Sequence, residues 1–101
     1  MDLLPFDKRK NAALQDPVRI EWARKQYCLA CGMEPPSDPH HIKTRGSGGG
    51  DDWWNVIPLC RRCHTGWHQL GWKAFLNKNW NLKVELKTLG WSWMDGRLTH
   101  D

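Results

Sequence analysis

Leu82, Leu86 and Leu89 stand at i, i+4 and i+7 with mostly polar residues between them, a spacing that predicts a helix over 82–89. Trp72 to Lys78 reads as a second short helix just before it. Further upstream, Asp16-Pro17 is a helix start, with Asp as the N-cap and Pro at the first helical position. The helix it opens runs over 18–26, with Val18, Trp22 and Ala23 able to face inward. Two extended segments, His40 to Lys43 and Trp53 to Leu59, flank a glycine-rich stretch from Arg45 to Gly50 and can pair as a loose hairpin around a flexible loop. That loop lacks the Lys-Ser/Thr ending of a phosphate-binding loop, and no helix opens after it. A further helix is expected from about Arg61 to Gly71. Residues 91–101 give no pattern. The expected organisation is a flexible lead-in over 1–15, a single domain over 16–90 and a tail over 91–101, with no internal repeat.

At 101 residues such a domain buries a limited core, and small cores are often supplemented by cross-links or metals. Eight tryptophans supply much of the apolar area; one of Trp53 and Trp54, beside the glycine loop, is a candidate for stacking on bases. No apolar run reaches membrane-spanning length. The first seven residues show no signal-peptide pattern, so a reducing cytoplasm is expected. The net charge of +4 is unevenly placed: residues 1–40 carry six basic and six acidic groups, whereas 41–90 carry eight basic and three acidic. A polyanion such as nucleic acid is the natural partner of that basic stretch.

Cys28-x-x-Cys31 and Cys60-x-x-Cys63 are two turns that each deliver two thiolates. In a reducing compartment they read as four ligands of one structural zinc rather than as disulfides. Gly32 lets the chain fold back beneath the first pair. His64 and His68, four apart on the expected helix, put two imidazoles on one face, while Cys63 points about 100° away around the axis. His40 can supply a third imidazole. His40 and His41, adjacent on a strand, point to opposite faces or diverge, so one can ligate while the other stays free as a base near neutral pH.

His40-His41-Ile42, Asn55 and Pro58-Leu59-Cys60-x-x-Cys63-His64-x-x-x-His68 together resemble the signature of the HNH endonucleases, and the cysteine pairs resemble the zinc-stapled members common in phages and mobile elements. Asp16-Pro17, Trp22 to Arg24 and Gly71 to Phe75 with Leu82 are also similar to small phage nucleases of this family. The resemblance spans about residues 16–90. It implies a small α+β fold: a ββα-metal (His-Me finger) core with a four-cysteine zinc knuckle pair and flanking short helices. It implies that His40, His64 and His68 bind the catalytic ion, that His41 is the general base, and that Asn55 holds the hairpin and loop. Lys43, Arg45, Arg61 and Arg62 become candidate phosphate contacts, which position a backbone without reading its sequence.

The implied reaction is metal-dependent nicking of DNA, leaving 5′-phosphate and 3′-hydroxyl ends. Recombination or DNA processing is the expected setting, with a homodimer or a recombination or packaging protein as a further partner, and no membrane. Some members use a carboxylate or asparagine ligand; three imidazoles favour Zn²⁺, Ni²⁺, Co²⁺ or Mn²⁺ over Mg²⁺. The rival reading is a non-catalytic zinc-knuckle module that binds nucleic acid. It uses the four cysteines and the basic surface but gives no role to the histidines or Asn55.

Overall fold

The computed structural model describes residues 13–93 and 96–100. Most of the expected lead-in, residues 1–12, lies outside the described residues. Helix α1 is Pro17–Arg24, and the Asp16 side chain caps it by accepting from the N–H groups of Val18 and Arg19. Strands β1 (Asp38–His41) and β2 (Val56–Leu59) form an antiparallel hairpin in which His40 faces Ile57 and His41 faces Val56. Helices α2 (Arg61–Leu70), α3 (Trp72–Lys78) and α4 (Trp80–Thr88) follow, then the two-residue strands β3 (Trp91–Ser92) and β4 (Thr99–His100), paired antiparallel.

The architecture is the expected small α+β fold, a β-hairpin followed by a helix. β2 is buried along its whole length. Pro39 and Pro58 face each other across the hairpin, and neither has an N–H to contribute. The Pro58 carbonyl instead accepts from Leu29 N–H at 2.9 Å, which ties the first cysteine turn to the hairpin. The core joins Ile57 and Leu59 of β2 to Cys63 and Trp67 of α2, Phe75 and Leu76 of α3, Leu82 and Leu86 of α4, and Trp91.

Four expectations are corrected. In α1 only Ala23 is buried; Val18 is 77% exposed and Trp22 is also on the surface, its ring lying under the Arg19 guanidinium at 3.9 Å. The helix docks on the hairpin through Ala23 and through Arg19, which donates to the carbonyls of Trp53 and Val56. The final helix begins at Trp80, two residues before the leucine stripe, because the helix boundary is set by the break at Asn79 rather than by the apolar face. Trp91, expected in a tail, is core, with its indole N–H donating to Trp54 O at 2.8 Å.

The glycine run, lastly, is not a loose loop. Arg45–Ser47 form a 3-10 turn capped by Thr44. A Cβ on Gly49 would lie 1.8 Å from Lys43 O, and one on Gly50 would lie 2.6 Å from Leu14 N. Glycine is needed there because two backbones pass too close for any side chain.

Candidate active site

Cys60 is the N-cap of α2, its sulfur accepting from Cys63 N–H. The same arrangement recurs at the first turn, where Cys31 N–H points at Cys28 Sγ. The hairpin brings the two turns together so that all four sulfurs lie within 4.8 Å of one another, with Cys31 Sγ 3.7 Å from Cys60 Sγ. The four are free thiols. A tetrahedral ion with bonds of about 2.3 Å needs sulfurs about 3.8 Å apart, so the cluster fits a structural zinc. Burial pushes the Cys63 thiol up. At the exposed Cys31 burial acts the same way, but hydrogen bonds from Met33 N–H and the other thiols outweigh it and bring the group down to about 7.

A second cluster is built from the same hairpin and helix. His40 of β1 and His64 and His68 of α2 each present a ring nitrogen within 4.8 Å of the others. Ring centroids are 4.9 to 5.3 Å apart. His40 is 1% exposed, and neither of its ring nitrogens has a hydrogen-bond partner. Burial foremost, then the neighbouring imidazoles, lowers its pKa to about 3, so the ring is neutral with a lone pair available. A buried polar ring with no partner is costly unless something coordinates it. A cation held by three neutral imidazoles meets that need, so the residues fit a nitrogen-bound divalent metal. An open cleft of about 470 Å³, lined by Asp38, Arg61, His64, Thr65, His68 and Gln69, gives access.

Two acidic residues that the sequence reading passed over hold His64 and His41. Asp38 Oδ2 accepts from His64 Nδ1 at 3.0 Å, leaving Nε2 of that ring for the cluster. This is the carboxylate–histidine arrangement that orients metal ligands. Arg61 donates to the same carboxylate from Nε at 2.7 Å and from Nη2 at 3.2 Å. The Arg61 bonds foremost, and that of His64, hold the Asp38 carboxyl below its usual range against desolvation. Strand alternation puts Asp38 and His40 on one face, so this partner could have been found in the sequence. Asp51, by contrast, accepts from His41 Nε2 at 2.7 Å across the glycine loop, and no spacing rule announces that pair.

Asn55 is fully buried. Its Oδ1 accepts from Lys43 N–H at 2.7 Å, and its Nδ2 donates to Lys43 O at 3.0 Å and Gly50 O at 2.8 Å. It thereby closes the loop between β1 and β2. His41 lies outside the three-imidazole cluster. Of the candidate phosphate contacts, Lys43 and Arg62 are exposed on the surface. Arg45 and Arg61 are exposed as well but engaged, Arg45 with Asp51 and Arg61 with Asp38. Trp54 stacks on His100 at 3.8 Å, which leaves the exposed Trp53 as the one of that pair able to meet a partner.

A hairpin and helix that together present a three-imidazole cluster, stapled by four cysteines, define a small ββα-metal domain. Residues 26–70 match the model of the HNH endonuclease family. The protein described as "Uncharacterized protein YdfU" of Escherichia coli (strain K12) is 43% identical over 51 residues, which make up 46% of this chain and 14% of that protein. The chain thus spans a small part of the curated relative it matches. No solved structure matches. No helix among the described residues is long and apolar enough to cross a membrane.

Proposed function

We propose that this domain nicks DNA by hydrolysing a phosphodiester bond, with one divalent cation on His40, His64 and His68 and with His41 as general base. The observation that carries the reading is the buried, unpartnered His40 ring at the meeting point of two further imidazoles. A bound cation supplies Lewis-acid stabilisation of charge at the phosphate. His41 accepts a proton from the water that attacks phosphorus. The bond from phosphorus to the 3′ oxygen breaks and that oxygen takes a proton from solvent, which leaves 5′-phosphate and 3′-hydroxyl ends. Asn55 keeps the loop closed so that His41 stays in place, and Asp38 orients His64. Lys43 and Arg62 hold the flanking phosphates, while Arg45 and Arg61 add their remaining N–H donors without leaving Asp51 and Asp38. Three imidazoles with no carboxylate in the set favour Zn²⁺, Ni²⁺, Co²⁺ or Mn²⁺.

Phage encoding, the bacterial cytoplasm and a role in recombination or DNA processing belong to the same proposal. They draw on the basic stretch over residues 41–90 and on the likeness to zinc-stapled phage nucleases. The test is conversion of supercoiled plasmid to the open circle across a panel of divalent ions. The parent is expected to nick, and His41→Ala to fall to a small residual rate while keeping its fold and metal content. A parent that binds DNA but cuts none, with any of these ions and on plain, single-stranded or branched substrates, would leave a binding module instead.

A further inference from the structure

The geometry points to Asp51 as a positioning residue that fixes the tautomer and orientation of His41. This rests on the nuclease reading of the site. His41 ends β1, and its Nε2 lies 2.7 Å from Asp51 Oδ1. A carboxylate can only accept, so the bond requires the hydrogen on Nε2 and leaves the lone pair on Nδ1. The nitrogen that receives the proton of the attacking water is therefore Nδ1. The resulting imidazolium is stabilised by a carboxylate that stays ionised throughout.

Asp51 is 3% exposed and held from four directions. Arg45 Nη2 donates to Oδ1 at 2.9 Å. Asp16 N–H donates to Oδ2 at 2.9 Å. Asp51 N–H donates to Leu14 O at 2.8 Å. The preceding residue, Gly50, is pressed against the Leu14 backbone, with its carbonyl held by Asn55. The segment leading into α1 thus anchors the carboxylate, and the carboxylate anchors the base. Charge and geometry agree on a device that presets the ring before substrate arrives.

Asp51→Asn keeps the size of the side chain and can still accept from Asp16 N–H, but it loses the charge and the acceptor-only character. In the zinc-loaded protein, kcat for nicking is expected to fall about a hundredfold, the range of one general base, with KM nearly unchanged. The His41→Ala, Asp51→Asn double variant should be no slower than His41→Ala alone, since Asp51 acts through that ring. Long-range ¹H–¹⁵N spectra of the parent should show His41 as the Nε2–H tautomer, and those of Asp51→Asn a mixture. A kcat within about twofold of the parent, full additivity in the cycle, or an Nδ1–H tautomer in the parent would each overturn the proposal. Should Asp51→Asn not fold, the parent's tautomer alone decides. Should the parent cut no DNA, the nuclease reading falls, and the tautomer still tells whether Asp51 sets the ring.

Discussion

Asn55 has no exposed surface, yet every polar atom of its side chain is satisfied by the loop it closes. Asn55→Ala strips partners from Lys43 N–H, Lys43 O and Gly50 O at once. The expected cost is about 2 to 4 kcal/mol in urea unfolding, larger than that of His41→Ala, which gives up one hydrogen bond, to Asp51. Asp51 gives a prediction in pH. Burial alone would raise its pKa, but the His41 and Asp16 bonds and the Arg45 charge outweigh burial and lower it. A carboxyl lowered on folding stabilises fully above its unfolded value, about 3.9, and that contribution is lost as pH falls through the folded value. The parent should therefore be more stable than Asp51→Asn at neutral pH. Melting curves should show the gap narrowing below about pH 4, and a constant gap would remove Asp51 from the acid limb.

α2 is the element on which both candidate metal sites depend, and it uses two faces. Cys63 and Trp67 turn inward, and His64 and His68 line the adjacent stripe. Cys60 has a double duty as N-cap and thiolate. Serine is an equally good N-cap, so Cys60→Ser separates the two roles. The cap survives, the fourth sulfur does not, and any loss of stability reports the zinc. A steep drop in melting temperature, with bound zinc falling, is expected; a parent-like melt would show that the cysteines do not staple the fold. The four-residue spacing of the histidines and the two cysteine pairs made α2 legible in the sequence. The edges of α1 and α4 were less so, because Val18 and Trp22 look like core by composition yet α1 docks through Ala23 and the Arg19 guanidinium.

Across the whole molecule, the two clusters differ in how firmly they should hold an ion. Three of the four cysteines are buried, and all four sulfurs converge; the histidine set offers three candidate ligands, of which His68 is exposed. Brief chelation is therefore expected to abolish nicking while circular dichroism is unchanged, with Zn²⁺, Ni²⁺, Co²⁺ or Mn²⁺ restoring it better than Mg²⁺. Prolonged chelation with a thiol-competing agent should then unfold the domain. Simultaneous loss of fold and activity at the first stage would mean that the two ions are not independent. The excess of positive charge over residues 41–90 surrounds these sites in the sequence, and it suits a polyanionic substrate.

Residue order and spacing alone determined the ligand chemistry: two cysteine turns, a histidine pair one helical turn apart, and a histidine doublet on a strand. Those relations are local, set by 3.6- and 2-residue periods, so they can be read without a fold. Only the tertiary structure decided what the rings lean on. Asp51 meets His41 because Gly49 and Gly50 let two backbones pass within a side chain's width and because Asp16, far upstream, supplies an N–H. Trp91 joined the core for a similar reason, through a carbonyl of Trp54 that no periodicity connects to it. Contacts between distant segments follow from packing and close backbone approach, and these act through space rather than along the chain.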